Sequence, residues 1–230
     1  MIITPIAHIF SEFEQKFGIP RQPNLAKNLL SKIIFEPEFR NPDFVRDLEK
    51  NSHIWLIWEF TEFTGKKITP LVRPPRFGGN KKTGVFASRS PMRPNSLGMS
   101  AVKIEKILTD KTAGKIILVS GSDILSGTPI YDIKPYIPYS DCIPEAETEF
   151  FSPPEMLDNV VFNCDMPLKE DDRKFLALKE ILLQDPRPAY KKDGTETYKF
   201  EFADLHVEFF VEEKTVFVTT LTKNLLHLQH

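Results

Sequence analysis

Hydrophobic and polar positions alternate in short blocks along the first half of the chain, and this pattern predicts β-strands. Residues 6–10 and 54–60 are predicted strands, and the second is apolar enough to be buried on both faces. Further strands are predicted at residues 101–108, 115–120 and 129–133, with turn signals at Gly121, Gly127 and Pro129. Several short strands separated by turns indicate a closed or nearly closed β structure.

Two helices are predicted from end signals and periodicity. The first begins at Asn41, which is followed by a proline at the first helical position and by Asp43, and it runs to about Lys50. The second covers residues 168–184 and ends before Pro186. Its apolar face consists of Phe175, Leu178, Ile181 and Leu182.

The organisation changes at residues 140–160, where acidic residues and prolines mark a linker. Beyond the second helix, strands are predicted at residues 197–203, 205–211 and 214–221, and the last two form a hairpin through Glu212-Glu213. The predicted fold class is therefore mainly β with an α+β part. An N-terminal β-barrel domain is expected over residues 1–150 and a small α+β domain over residues 151–230.

The composition, with 41% hydrophobic and 27% charged residues, is that of a globular protein and excludes a disordered chain. The apolar run at residues 54–58 is far shorter than the roughly 20 residues of a membrane-spanning helix. The N-terminus lacks the features of a signal peptide. Cys142 and Cys164 show no metal or redox spacing and fit a reducing compartment, so a cytoplasmic protein is expected.

The charge is unevenly distributed along the chain. Residues 1–140 carry 20 basic and 13 acidic side chains, a net charge of +7, whereas residues 141–230 carry 10 basic and 19 acidic ones, a net charge of −9. No acidic residue lies between Glu62 and Glu105, a stretch that holds Lys66, Lys67, Arg73, Arg76, Lys81, Lys82, Arg89, Arg93 and Lys103. This stretch fits either a polyanion-binding surface or a solvated basic surface balanced by the acidic half.

The common cofactor and metal motifs are absent from the sequence. No G-x-G-x-x-G follows a predicted strand, which argues against a Rossmann-type site, and no nucleophile elbow is present. Residues 79–84 lack the spacing of a phosphate-binding loop. The five histidines are scattered along the chain and form no recognisable ligand motif, so no catalytic metal is expected.

The segment 86–100 is an unusual basic loop with Arg89, Arg93, two prolines that fix φ, and Gly98 available for a positive φ. A rigid loop that presents arginine side chains suits a carboxylate or phosphate, because bidentate recognition needs a preorganised guanidinium. The alternative is an exposed basic turn.

Five segments of the sequence, in order over nearly the whole chain, match motifs of one known family. They are Pro20-Arg21-Gln22-Pro23, residues 72–79, the loop segment 88–100, residues 127–136, and residues 184–190. With these segments the chain resembles the TrmO family (also called TsaA or YaeB) of tRNA methyltransferases, which use S-adenosylmethionine on a β-barrel. Residues 184–190 are similar to the signature of the bacterial C-terminal domain of that family.

The resemblance implies a donor-binding site formed by Gln22, Pro23, Asn24, Ser52, His53, Arg89, Met99, Ser126, Gly127, Thr128 and Pro129. Two positions depart from the family. Ser126 stands where many members have Asp, which puts in doubt any role there that needs a carboxylate, and Phe10 stands where many have Arg.

Each assigned residue also has a purely structural interpretation. Arg89 is expected to contact the carboxylate end of the donor, or else to form a structural salt bridge. Met99 offers a polarizable wall, or only packing. Without the resemblance, His53 would be interpreted as a hydrogen-bonded core histidine.

Asp132, Lys134 and Tyr136 are the predicted catalytic residues. The two-residue period of a strand places all three on one face. A carboxylate, an amine and a phenol together suit the orientation of an amine acceptor and the removal of its proton. Tyr136 also suits a cation–π contact with the sulfonium of the donor. The alternative is a structural ion pair between Asp132 and Lys134.

The resemblance implies a homodimer that methylates the exocyclic N6 of threonylcarbamoyladenosine, next to the anticodon of threonine tRNA. The implied cofactor is S-adenosylmethionine, with no metal and no membrane partner. Two alternatives stay open: a methyltransferase of the same fold that acts on another RNA or a small molecule, and a non-enzymatic RNA-binding module.

Overall fold

The computed structural model describes residues 2–73, 82–149, 151, 153–188 and 196–224, and these residues form mainly β structure. The strands are β1 (Ala7–Ser11), β2 (Leu30–Phe35), β3 (His53–Glu59), β4 (Leu71–Val72), β5 (Thr83–Gly84), β6 (Leu97–Asp110), β7 (Gly114–Ser120), β8 (Thr128–Pro135), β9 (Asn159–Phe162), β10 (Tyr198–Phe202), β11 (Leu205–Glu212) and β12 (Thr215–Lys223). The α-helices are α1 (Pro138–Asp141) and α2 (Arg173–Leu183). Short 3-10 helices lie at Pro37–Phe39, Pro42–Val45, Leu48–Lys50, Thr61–Phe63 and Val85–Ala87.

Six strands close a barrel in the order β1-β2-β7-β6-β3-β8, which confirms the predicted closed β structure. β3 lies between β6 and β8 and pairs with both in antiparallel orientation. Side chains from alternate positions fill the interior, among them Ile9, Ile33, Ile54, Leu56, Val102, Ile117 and Ile130, each fully buried. The small pair β4–β5 is antiparallel and separate from the barrel sheet.

The prediction that residues 54–60 are buried on both faces is wrong. Along β3 the side chains alternate between buried and partly exposed, so only Ile54, Leu56 and Trp58 point into the barrel. The opposite face of β3 is partly exposed and mixed in character, and it carries His53, Trp55, Ile57 and Glu59.

The predicted helix over residues 41–50 begins as expected but does not continue. The Asn41 side chain accepts a hydrogen bond from the Asp43 backbone N–H at 3.0 Å, which is the predicted cap. Two short 3-10 helices follow instead of one α-helix, because Asp47 adopts a left-handed conformation with φ 67°. Val45 is the one buried residue of these two helices, so the segment presents no apolar stripe to stabilise a longer helix.

The C-terminal sheet has the order β10-β11-β12-β9, and α2 covers one of its faces. The predicted hairpin between β11 and β12 is confirmed, with Glu212 paired to Thr215. α2 starts at Arg173 rather than at residue 168, because Asp172 caps it by accepting a hydrogen bond from the Lys174 backbone N–H. Its four predicted core residues are all buried.

The chain forms two compact units. Unit 1 contains Met1–Ile9, Ile33–Leu118 and Thr128–Pro153, and unit 2 contains Phe10–Lys32, Val119–Gly127 and Pro154–His230. The core of unit 2 accordingly combines Phe13, Ala26 and Leu29 with residues of α2 and of the C-terminal sheet. The domain boundary near residue 150 stays a prediction. None of the described helices is long and apolar enough to cross a membrane.

Candidate active site

Three adjoining barrel strands present a common surface on the outside of unit 1, called here the outer face. In the register of β6, β3 and β8, Met99 lies opposite Ile57, which lies opposite Asp132. The next row along the strands is Ala101, Trp55 and Lys134, and the third begins with Lys103 opposite His53. Tyr136 extends the third row, since its backbone N–H donates to the carbonyl of His53 at 3.0 Å. All nine side chains are partly or fully exposed.

The outer face brings together residues that the sequence analysis named separately. Asp132, Lys134 and Tyr136 share one side of β8 and its extension, as the two-residue period predicted. His53 and Met99 lie in the same rows as these three residues. The interpretation of His53 as a core histidine is wrong, because the ring is only partly buried and its Nδ1 lies 2.9 Å from the hydroxyl of Ser52.

Aromatic rings form the centre of this surface. The ring of Tyr136 lies 5.4 Å from that of Trp55 and 6.4 Å from that of His53, measured between centroids. The indole Nε1 of Trp55 donates to Oδ2 of Asp141 at 2.7 Å, and the same oxygen accepts the Ile137 backbone N–H at 2.9 Å. These two hydrogen bonds, the backbone one first, hold the pKa of Asp141 below its usual value. Asp141 thus fixes both the indole and the chain immediately after Tyr136.

The predicted alternative of an ion pair between Asp132 and Lys134 is present in the structure, with Nζ and Oδ2 2.9 Å apart. Their side chains are 46% and 66% exposed, so solvent screens the pair and its contribution to stability is at most about 1 kcal/mol. Because the pair is exposed, both groups remain accessible to a bound molecule.

A β-bulge beside the outer face displaces Tyr131. Ile57 pairs with Asp132 but Trp58 pairs with Ile130, so Tyr131 is the extra residue. Its hydroxyl donates to the carboxylate of Glu59. Burial, together with this carboxylate, raises the pKa of Tyr131 to about 12. The phenol therefore stays protonated near neutral pH and does not serve as a proton acceptor there.

The arginine loop before β6 is braced from within. The guanidinium Nη2 of Arg93 donates to the carbonyls of Val85 at 3.1 Å and Ser88 at 2.8 Å, and the Ser88 hydroxyl donates to the same Val85 carbonyl. Arg93 therefore holds the loop together, while Arg89 lies exposed on it. The expected contact between Arg89 and the donor stays a prediction.

The prediction that Gly98 supplies a positive φ is wrong. Residues 97–100 already belong to β6, and Gly98 is absent from the glycines with positive φ. A glycine is needed there because the indole of Trp58 occupies the place of a side chain at position 98.

Comparisons with known proteins agree with this architecture. The family model of the tRNA-methyltransferase O N-terminal domain matches residues 8–142, and that of the TrmO C-terminal domain matches residues 168–224. The chain belongs to the tRNA-methyltransferase O family.

Relatives of this family cover most of the chain. A tRNA (adenine(37)-N6)-methyltransferase of Escherichia coli is 39% identical over 209 residues, 87% of this chain and 88% of the relative. A Pseudomonas aeruginosa relative is 38% identical over 83% of both chains, and its name ascribes to it S-adenosylmethionine-dependent methyltransferase activity. A solved structure described as a crystal structure of TrmO is 30% identical, covers 96% of this chain and 99% of its own, and has a TM-score of 0.74.

Two of the segments that resemble the TrmO family contact each other in unit 2. The side chains of Asp185 and Arg187 form a buried ion pair, with two N–O distances of 2.8 and 3.2 Å. Arg21 Nη2 donates to the carbonyls of both residues, at 3.2 and 3.1 Å. The signature after α2 thus holds the segment that leads into Gln22. Residues 189 and 190 of this signature and residues 74–79 of the earlier motif lie outside the described residues.

The remaining donor-site candidates lie in both units. In unit 2, the backbone N–H of Asn24 donates to the carbonyl of Gly121 at 2.8 Å, next to the partly buried Gln22 and Pro23. Ser126 also belongs to unit 2, where its hydroxyl accepts the Ser11 backbone N–H at 3.3 Å. The Ser126 hydroxyl therefore accepts this hydrogen bond at the position where many members have Asp.

The other candidates flank the start of β8. Gly127 is exposed, has φ 79°, and has open space where a Cβ would be. Thr128 and Pro129 belong to unit 1, and both are buried. Phe10, which stands in place of the usual Arg, is 44% exposed.

Sequence reasoning missed Trp55, Lys103 and Asp141. The alternation along β3 places Trp55 on the same side as His53. Trp55 would therefore have been identified if one face of this strand had been predicted to be exposed. Lys103 follows from Met99 by the same period. Asp141 had no local signal, since its partner Trp55 is 86 residues away. Among the described residues, no group of three or more His, Cys, Asp or Glu is placed to hold a metal ion.

Proposed function

We propose that this chain is an S-adenosylmethionine-dependent tRNA methyltransferase that methylates the exocyclic N6 of the adenosine at position 37, next to the anticodon. We further propose that its preferred acceptor is the threonylcarbamoylated form of this adenosine in threonine tRNA. The family assignment and the name of the Escherichia coli relative support the reaction. The observation that carries the proposal is the outer face, which gathers a carboxylate, an amine, a phenol and aromatic rings on three strands.

The chemistry of the outer face fits the proposed donor. A sulfonium cation is stabilised by aromatic faces and by a nearby carboxylate, and Trp55, Tyr136 and Asp132 provide these groups. Met99, 55% exposed, offers an apolar and polarizable surface for an adenine ring. Arg89 supplies a cation suited to the carboxylate of the donor.

Residues of the outer face act on the acceptor during methyl transfer. When bound, S-adenosylmethionine supplies a methyl group that the N6 lone pair accepts while the S–C bonding pair remains on sulfur. Asp132, Lys134 and Tyr136 orient the acceptor nitrogen, and one group among them takes up the single proton that leaves it. Neither a metal nor a covalent enzyme intermediate is required, because alignment of acceptor and donor lowers the barrier by several kcal/mol.

The basic stretch between Glu62 and Glu105 supports tRNA as the polymer partner. Six of its seven described members are exposed, as phosphate contacts require: Lys66, Lys67, Arg73, Lys82, Arg89 and Lys103. Arg93 is partly buried, and Arg76 and Lys81 lie outside the described residues. A homodimer and a cytoplasmic location are part of the same proposal. The apolar and aromatic exposure of the outer face supports a second subunit, and the two free cysteines fit a reducing compartment.

The deciding experiment is nucleoside analysis of threonine tRNA after incubation with the protein and isotopically labelled S-adenosylmethionine. Label in methylated threonylcarbamoyladenosine, with none in an unmodified transcript, is the expected result. Label in another RNA or small molecule favours the same-fold alternative, and donor binding without transfer to any RNA favours a binding module. Light scattering of the purified protein measures the subunit number.

A further inference from the structure

Asn28 is held by a two-point contact with Glu180 of helix α2. The Asn28 backbone N–H donates to Oε2 of Glu180 at 2.9 Å, and its side-chain Nδ2 donates to Oε1 at 2.7 Å. Both carboxylate oxygens are therefore engaged by one residue, which fixes the direction of the chain as well as its distance from the helix. Both side chains are partly buried, so these hydrogen bonds are shielded from part of the competing solvent.

Further contacts hold the same stretch of chain. The Nε of Arg173, at the start of α2, donates to the carbonyl of Asn28 at 3.3 Å. At the other end, Arg21 donates to the carbonyls of Asp185 and Arg187, just after α2. The segment 21–28 is thus fixed at both ends by α2 and the residues that follow it.

The middle of this segment depends on its ends. Asn24 has φ 63°, a left-handed conformation that asparagine adopts more readily than most non-glycine residues. Its backbone N–H donates to the carbonyl of Gly121, and Gly121 leaves no room for a Cβ beside Asn24 Oδ1. The conformation of residues 22–24 therefore depends on the contacts at both ends of the segment, and it can change when one of them is removed.

We infer that Glu180 is a positioning residue for the methyl donor: by holding Asn28 it sets the conformation of residues 22–24 and thereby the affinity for S-adenosylmethionine. This inference rests on the proposed function and on the family resemblance, which implies that Gln22, Pro23 and Asn24 belong to the donor site. In this role Glu180 holds Asn28 through both of its oxygens and acts on the donor only through the segment that Asn28 ends.

The test compares Glu180→Ala with Glu180→Gln in the full-length protein. Glutamine retains the two-point contact, since its amide oxygen accepts the Asn28 N–H and its NH2 group donates to the Asn28 amide oxygen after that group turns over. Lys179→Ala, a change at the adjacent position of α2, is the matched control. Calorimetry measures the Kd for S-adenosylmethionine, and filter binding measures the Kd for threonine tRNA.

The expected result is a Kd for S-adenosylmethionine raised five- to twentyfold in Glu180→Ala, with near wild-type values in Glu180→Gln and Lys179→Ala and an unchanged Kd for tRNA. Equal loss of affinity for both ligands would mean that Glu180 only supports the fold, and unchanged donor affinity would also overturn the inference. If Glu180→Ala fails to fold, Asn28→Ala, which removes one of the two bonds, gives the same comparison. If the wild-type protein does not bind the donor, it is the proposed function that fails.

Discussion

The indole of Trp58 occupies the space that any side chain at position 98 would need. An ideal Cβ on Gly98 would lie 2.8 Å or less from three indole atoms, and the indole is held in place by a hydrogen bond from its Nε1 to the buried hydroxyl of Ser100 at 3.0 Å. The glycine in the arginine-loop motif therefore serves the packing of the barrel interior.

We expect Gly98→Ala to lower the free energy of unfolding by about 1–3 kcal/mol, the usual cost of overpacking a well-filled core. Gly84→Ala is the matched control, because Gly84 has open space at its Cβ position and φ −60°. Urea denaturation followed by fluorescence measures both variants. Similar unfolding free energies for the two variants would contradict the steric role of Gly98.

We expect Arg187→Ala to destabilise the protein by about 3–5 kcal/mol, since it leaves the carboxylate of Asp185 buried without its partner. The side chains of this pair are only 5% and 4% exposed. Arg46→Ala breaks an exposed pair with Asp43 and should cost less than about 1 kcal/mol. Thermal and urea unfolding measure the loss of stability in each variant. Comparable losses would show that burial of the Asp185–Arg187 pair does not increase its effect on stability.

His206 should make the stability of the C-terminal sheet depend on pH. A hydrogen bond to Glu201 at 2.6 Å, and a weaker one to Glu208, raise the pKa of His206 above its ordinary value of about 6.5. The folded state then binds the proton more tightly than the unfolded state. The resulting stabilisation is full below pH 6.5 and is lost as the pH rises through the folded-state pKa.

The measurement compares wild type with His206→Gln by urea denaturation at pH 5.5, 7.0 and 8.5. The stability advantage of the wild type should shrink as the pH rises. Glu201→Gln removes the largest cause of the shift and should reduce this pH dependence. An advantage that is constant across the three pH values would show that the histidine is not protonated through Glu201.

Arg89→Ala should weaken S-adenosylmethionine binding by about 1.5–3 kcal/mol, the worth of a charge-assisted hydrogen bond. The melting temperature should not change, because Arg89 is exposed and the loop is held together by hydrogen bonds from Arg93. Lys82→Ala, an exposed cation that precedes the same loop, is the control for a general loss of positive charge. Calorimetric titration that finds the wild-type affinity in Arg89→Ala excludes the contact.

Asp132→Asn and Tyr136→Phe should lower kcat more than they raise KM for threonylcarbamoylated tRNA. This split marks interactions made mainly in the transition state, where the proton leaves the acceptor nitrogen. Both side chains are partly exposed on the outer face, so neither change should unfold the barrel. Steady-state kinetics with modified tRNA measures the split, and a rise in KM alone would assign both residues to substrate binding.

Local sequence pattern was sufficient to place Asp132, Lys134 and Tyr136 on one face, because the period of a strand is fixed by its backbone. The pattern could not show that Trp55 lies opposite Lys134, since register depends on pairing between distant strands. The same limit applies to Gly98, because the residue that excludes a side chain there, Trp58, lies 40 positions earlier. Asp141 is the clearest case of this limit, because its hydrogen bond to Trp55 joins residues that are 86 positions apart.

Helix prediction failed for a different reason. The cap at Asn41 was predicted correctly because capping involves only neighbouring residues. The length of the helix was wrong because it depends on an apolar stripe that meets a core, and the two short helices bury only Val45. For α2 both conditions hold, and there the predicted helix only begins five residues too early and ends one residue too late.

The participation of Phe13, Ala26 and Leu29 in the C-terminal core has a practical consequence for dissecting this protein. All three are 0–1% exposed within a cluster that also contains Leu178, Val207 and Val218. A fragment that stops near residue 150 would lack these last three residues. It would expose the side chains of Phe13, Ala26 and Leu29 to water, and such an apolar surface favours aggregation. Isolating the barrel for crystallisation or for labelling therefore calls for polar replacements at positions 13, 26 and 29, or for supplying residues 154–224 as a separate polypeptide.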